Sequence, residues 1–463
     1  MILIFLPSLA YAIETVSQST ADDQAVVEVT VYNSNLGLIK DTRNISIPYG
    51  EGELRFIDVA SQIQPETVHV KSLNHPDDMR ILEQNYEYDL MNQNKLLDKY
   101  VGKKIKIIDP NKFQDRKDII EATLLSNNRG QVYKIKDEIY LGHPGIKVLP
   151  GIPENLIAKP TLTWLYDNSS KNPHKLEVSY LTDKINWKAD YIVVLHENDT
   201  SSDISGWVTI DNQSGTTYTK ATLKLIAGEV HRTRPRPQQR VYALEAAQQG
   251  AASQFEEKAF FEYHIYDLQR KTTLKDRQTK QIRLFEASGV KTRKEFLSLN
   301  NKSYFTRRYR EKKLKQPVDV YIKFKNSTEN NLGMPLPEGI LRFYKRDHTG
   351  SQQFIGEDKI QHTPKNEEIK LMIGKAFDVI SERKQTGFKK ITSKQYESEW
   401  EITLRNHKKT SISVGVIESL PGNWQIRKSS HPYKKADAFT ARFDVTVPSG
   451  KEIKVKYRVQ VGL

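Results

Sequence analysis

The chain of 463 residues has no cysteine. That single absence excludes disulfide scaffolds, thiolate metal sites and cysteine nucleophiles together. No uncharged apolar run approaches about 18 residues, so no membrane-spanning helix is expected. Phosphate-binding loops are missing: neither G-x-x-x-x-G-K-[ST] nor a G-x-G-x-x-G following a strand occurs. The 11 histidines form no H-E-x-x-H or H-x-H, and no serine sits in a G-x-S-x-G elbow. The expectation is a chain without a catalytic motif, a metal centre or a cofactor. With 37% hydrophobic and 28% charged residues it is not a disordered polyelectrolyte, and its length suits about two to four domains.

What is present begins with residues 1–12, MILIFLPSLAYA. This stretch is apolar, too short to span a bilayer, and ends in Ala10-Tyr11-Ala12. Small residues at −3 and −1 fit a signal peptidase, which predicts cleavage before Ile13 and an exported chain, periplasmic or secreted. No Lys or Arg precedes the apolar run.

Period-two alternation dominates the rest. Val27, Val29 and Val31 alternate with polar residues, as do Val318, Val320, Ile322 and Phe324, then Trp400, Ile402 and Leu404, then Ile412, Val414 and Val416. Such runs place one face on a core and one in water. Phe443, Val445 and Val447 lead through Pro448-Ser449-Gly450-Lys451 to Ile453, Val455, Tyr457, Val459 and Val461, which predicts a terminal hairpin over 441–461. Asn127-Asn128-Arg129-Gly130 and Asp211-Asn212-Gln213-Ser214-Gly215 read as further turns. Helices are few. One short helix is expected over 95–101, capped by Asn92 and stopped by Gly102. The Pro-rich stretch 234–240 and the Ala/Gln/Glu-rich stretch 244–258 form an expected surface excursion over 233–258, a linker followed by marginal helix or disorder.

The fold class expected is all-β and mainly antiparallel: a multi-domain sandwich or barrel protein with few short helices. The expected divisions are an N-terminal β region over 25–170 with a small barrel-like part near 101–150, a central β domain over 174–385, and an immunoglobulin-like C-terminal sandwich over 390–463.

Residues 179–230, SYLTDKINWKADYIVVLHENDTSSDISGWVTIDNQSGTTYTKATLKLIAGEV, carry a family likeness. So do Tyr263-His264-Ile265-Tyr266, Leu336-Pro337-Glu338-Gly339, Phe354-Ile355-Gly356-Glu357-Asp358 and Val445-Thr446-Val447-Pro448, in that order. The stretch from about 175 to 463 resembles an uncharacterised family of exported bacterial proteins, a domain of unknown function. That domain also forms the C-terminal part of mucoidy-inhibitor-A-like proteins. The chain lacks the long heptad coiled coil of those proteins. The resemblance implies an exported β-rich protein and no particular reaction.

Candidate chemistry is sparse. Glu357, Asp358 and His362 are the nearest metal-like cluster, but strand geometry spreads Asp358 and His362 about 13 Å apart. Ser214 lies in a turn, and Ser381-Glu382-Arg383-Lys384 matches S-x-x-K without its companion motifs. Paired carboxylates for glycoside hydrolysis need only spatial proximity, so an envelope carbohydrate- or peptide-acting hydrolase stays as the alternative. Trp187 and Trp207 are expected in the core. Trp424, after Leu420-Pro421-Gly422-Asn423, is expected in a loop as an aromatic binding candidate.

Charge is the one concentrated feature. Residues 270–315 hold sixteen Lys or Arg against four acids, a surplus of +12 within a whole-chain net charge of +14. The anion-binding candidates are Arg307, Arg308, Arg310, Lys312 and Lys313. Expected partners are acidic polysaccharide, lipopolysaccharide or an anionic membrane surface; nucleic acid is not expected. The function read from sequence is a non-enzymatic envelope protein binding such a surface. A third reading, strand donation to another chain, is opposed by the charged outer faces of the terminal strands.

Overall fold

A computed structural model describes residues 16–89, 91–111, 116–152, 158–228, 254–260, 263–309 and 313–463. The signal-like residues 1–12 and residues 233–253 of the expected excursion lie outside the described residues.

The molecule is mainly antiparallel β structure, with Gln93–Lys99 as its one α-helix among the described residues. The alternation did its expected work: Val27, Val29 and Val31 of the Gln24–Tyr32 strand are buried. Asn92 caps the helix by accepting the Lys95 N–H at 3.0 Å. The end of the predicted marginal helix is instead strand Phe255–Phe260, paired with Tyr263–Leu268. Phe255 is buried in the first core, and pairing plus burial outweigh local helix propensity.

Four sheets organise the described strands. One four-stranded sheet holds Val16–Ser19, Gly50–Ile57, Thr161–Asn168 and Met79–Glu87. A second sheet runs through Tyr218–Ala227, Gln24–Tyr32, Leu36–Ile45 and His174–Asp183; the Gln24–Tyr32 strand joins Tyr218–Ala227 in parallel. The third and largest includes Ile185–Leu195, Ser201–Asn212, Gln278–Leu299, Leu314–Lys325, Glu368–Lys390 and Gln395–Asn406. The first core draws on all three, with Phe56 and Trp164, Val29 and Leu225, Tyr191 and Phe343 among its members. The second core fills the C-terminal sandwich, where Phe443 and Tyr457 stack with centroids 5.5 Å apart.

Three strands run from one core into the other. Gln278–Leu299 gives Ile282 and Leu284 to the first core and Phe296 to the second. Leu314–Lys325 gives Val318 to the second and Ile322 and Phe324 to the first. Glu368–Lys390 gives Ile369 and Leu371 to the first and Val379 to the second.

The terminal hairpin is not formed. Its turn exists: Lys451 N–H donates to Pro448 O at 3.2 Å and Gly450 has φ 66°. Yet Thr440–Val447 pairs with Ile412–Ser419, and Glu452–Gly462 pairs with Gln395–Asn406. The turn carries the chain between the two layers of the sandwich, so both strands point apolar side chains into one core from opposite sides. Asn212 to Gly215 also joins strands that do not pair with each other, here Ser201–Asn212 and Tyr218–Ala227 of different sheets. Asn127 to Gly130 does close a hairpin, with Leu124 opposite Tyr133.

The fourth sheet stands between Met79–Glu87 and Thr161–Asn168 in the chain. Its antiparallel order is Glu138–Leu141, Val132–Ile135, Arg116–Ser126, Lys104–Asn111, Ile146–Val148. One face buries Ile105, Ile107, Ala122, Leu124, Tyr133 and Ile135 with Leu97 and Tyr100 of the helix, a core separate from the other two.

Candidate functional site

A cleft of about 380 Å³ opens beside Leu36–Ile45. On this strand Ile39, Asp41, Arg43 and Ile45 share one inward parity, so two charges occupy core positions. Arg43 is fully buried. Its Nε and Nη2 donate to Asp41 Oδ2 at 3.1 and 2.8 Å, its Nη1 donates to Ser19 O at 3.1 Å, and its guanidinium lies 3.5 Å from the Phe56 ring centroid. Gln24 Nε2 donates to the other Asp41 oxygen at 2.9 Å. Burial raises the Tyr180 and Tyr218 phenols, which line the same cleft as neutral hydroxyls. Exposed Asp22, Thr217, Thr219, Lys220 and Lys271 form its rim. Asp41 is already engaged by three hydrogen bonds.

A second buried pair has the opposite setting. Arg383 and Glu418 have fully buried side chains (0% and 0% exposed) and meet in a bidentate contact at 2.5 and 2.9 Å. Asn300 Nδ2 donates to Glu418 at 2.7 Å, Arg383 Nε donates to Gln316 at 3.2 Å, and Tyr457 Oη lies 3.4 Å from Arg383 Nη1. Burial and the Glu418 charge push the Tyr457 phenol up. This network joins strands of both layers and forms no part of the cleft.

Neither pair was among the expected site residues. Their signal in the sequence is a charge on the apolar parity: Ile39-x-Asp41-x-Arg43, Val379-x-Ser381-x-Arg383 and Val414-x-Val416-x-Glu418. One further arrangement carried no motif. Ser201 Oγ lies 2.8 Å from His196 Nδ1, and Asp203 lies 3.2 Å from His196 Nε2. The nitrogens are used in the reverse order of a serine-protease triad, on an exposed turn closed by the His196 N–H to Ser201 O bond at 2.9 Å.

Arg307 and Arg308 are exposed just after the Lys302–Phe305 turn. Gln385 clips their segment to the sandwich: its Nε2 donates to Arg307 O at 3.1 Å and its Oε1 accepts the Tyr309 N–H at 2.8 Å. Tyr304, Phe305 and Tyr309 pack their rings around Trp400. Lys313 is exposed before Leu314, which pairs with Arg383 and so sits beside exposed Lys384. Arg310 and Lys312 lie outside the described residues. Among the described residues no ion pair engages Arg307, Arg308 or Lys313, whereas Arg283 pairs with Glu286 and Lys294 with Asp199.

Trp424 is not in a loop. It lies in strand Asn423–Ser429, half-buried, with Nε1 donating to Ala438 O at 2.8 Å and Lys435 5.3 Å from its ring centroid. The strand forms because Ile426 continues the alternation and pairs with Val459. Trp187 is core as expected, but Trp207 falls on the opposite parity of its strand, half-buried under Arg283. The acids near His362 are not brought together: Glu357 pairs with Arg342, and Asp358 accepts the N–H groups of Lys359 and Met372. Ser214 bonds Asn212 and Tyr218, and buried Ser381 bonds Ser298.

No curated protein matches the chain. The cleft straddles the start of a family match, with Asp41 and Arg43 before it and Tyr180 and Tyr218 within it. Residues 176–463, more than half of the chain, match the family described as a domain of unknown function (DUF4139), and the chain belongs to that family.

Proposed function

We propose that this is an exported, non-enzymatic β protein of the cell envelope that binds an anionic polymer or membrane surface through the edge carrying Arg307, Arg308 and Lys313. The observation that carries it is the contrast in partners: these three cations are exposed and unengaged by described acids, while others of the same basic segment are paired. Their segment is anchored by Gln385 and three aromatic rings, so the charges stand on an ordered support. The signal-like residues 1–12 support export, and the ordered blocks over 179–230 support the likeness to mucoidy-inhibitor-A-like proteins.

The test is a salt titration against acidic polysaccharide and anionic vesicles. Each cation near such a surface is worth about 1 kcal/mol, so Arg307→Ala/Arg308→Ala/Lys313→Ala is expected to weaken binding roughly a hundredfold. Absence of binding at low salt, or an unchanged triple variant, ends this reading.

The hydrolase reading has one observation in its favour. Burial raises the Asp319 carboxyl, as a general acid requires, and its Oδ1 has no hydrogen-bond partner among the described residues. Its cross-strand neighbour is Lys375 rather than a second acid, and that charge pulls the other way. Hydrolysis of envelope polysaccharide that disappears in Asp319→Asn would reverse the ranking.

A further inference from the structure

Among the described residues the sheet spanning residues 104–148 is covered on only one of its faces. Registers place Ile146 opposite Ile108 and Ile108 opposite Ile119, so three isoleucines lie side by side across three strands on the uncovered face. Ile146 and Ile119 are 66% and 65% exposed. Ile139 and Leu141, 57% and 88% exposed, share this face at the far edge, since they oppose Lys134 and Val132 rather than the inward Tyr133 and Ile135. Val148 opposes Lys106 and faces the same way. This is a concentration of exposed aliphatic side chains on a small sheet whose interior is already complete.

The same face is cationic. Lys104, Lys106 and Lys134 occupy its parity and are exposed, against Glu121 alone among the described residues, which opposes Lys106. Lysine stems lie along apolar surface with the ammonium at the water side, the arrangement favoured at a lipid headgroup boundary. The buried centres of protein interfaces favour aromatic residues, Met and Arg and disfavour Lys. Isoleucine, leucine and valine interleaved with lysine, with no aromatic residue or arginine on the described face, fit the bilayer better.

We propose that this face docks onto an anionic lipid bilayer, its aliphatic side chains entering the headgroup boundary and Lys104, Lys106 and Lys134 meeting lipid phosphates. It involves none of the residues of the Arg307 edge and stands or falls separately from it.

The full chain is tested by flotation with phosphatidylcholine vesicles and with phosphatidylcholine–phosphatidylglycerol vesicles. Binding is expected to the anionic vesicles only. Ile119→Asn/Ile146→Asn should weaken it tenfold or more, and Lys104→Glu/Lys106→Glu/Lys134→Glu at least as much. All five side chains are exposed, and circular dichroism confirms that each variant is folded. The proposal is overturned if the wild type floats with neither vesicle, if it binds both equally, or if the apolar variant floats as the wild type does. Loss only in the Arg307/Arg308/Lys313 variant overturns it while upholding the basic edge. Sedimentation gives one more overturning result: self-association abolished by Ile119→Asn/Ile146→Asn without vesicle binding would make the face a contact between two copies.

Discussion

The two buried ion pairs solve the same problem differently. Asp41 and Arg43 come from one strand, two residues apart, and beside them is an open cleft of about 380 Å³ lined in part by hydroxyls. Arg383 and Glu418 come from different strands of a closed sandwich, with no exposed side-chain surface. Removing two charges from water costs several kcal/mol per ion, recovered only by close geometry and further hydrogen bonds. The sealed pair has these from Asn300, Gln316 and Tyr457 and acts as a bolt between layers. The pair at the cleft keeps an adjacent polar space, so it is the one whose broken contacts water can replace.

The contrast can be broken by substitution. Glu418→Gln leaves Arg383 buried without its counter-charge and is expected to cost about 3–5 kcal/mol, read as a drop in the denaturant midpoint. Replacing both members with apolar residues of similar volume should recover much of that loss. Asp41→Asn should cost less, about 1–3 kcal/mol, because water can enter beside Arg43. Equal losses would show that the cleft offers the pair no relief.

A pH titration sharpens the point for a buried neutral group. His174 Nε2 lies 3.0 Å from Asn168 Oδ1 and Nδ1 lies 2.9 Å from Ser72 Oγ. The Asn168 amide nitrogen donates to the carbonyls of Ile47, Pro48 and Ser170, so its oxygen accepts and the ring carries its proton on Nε2. Burial lowers the His174 pKa, with His75 adding to the effect. The unfolded chain therefore binds the proton more readily. Stability should be full above the ordinary histidine value near 6.5 and decline as pH falls below it, by at most about 1.4 kcal/mol per pH unit. Imidazole NMR should show His174 neutral where exposed histidines are charged; protonation alongside them would refute this. The smallest effect belongs to the surface: Arg307→Ala/Arg308→Ala/Lys313→Ala should change folding stability by no more than about 0.5 kcal/mol, whatever it does to binding.

Strand existence was legible because alternation is a local signal, as at Val445, Val447, Val455 and Val459. Strand partnership was not. Pro448 to Lys451 looks the same in sequence whether it joins neighbours in one sheet or crosses between layers. Along the 22- and 23-residue strands bulges break the rhythm, as where the buried parity moves from Ile282 and Leu284 to Ala287 and back to Val290, so periodicity does not mark where one core ends. The asparagines that tie the strand ends were equally silent. Asn212 and Asn406 each donate to three carbonyls, and each accepts from the backbone two residues on, yet either reads as an ordinary turn residue. The candidate site was legible only as composition. The +12 of residues 270–315 is real, but sequence does not show which cations find acids and which face solvent.

The three strands shared by the two cores have a mechanical consequence. A load applied to the C-terminal sandwich along these strands meets hydrogen bonds oriented across the pull, which must break together rather than one after another. Flexible linkers let bodies swing and yield in turn. Here a tug on the Arg307 edge would pass through Gln278–Leu299, Leu314–Lys325 and Glu368–Lys390 into the first core, as through a girder.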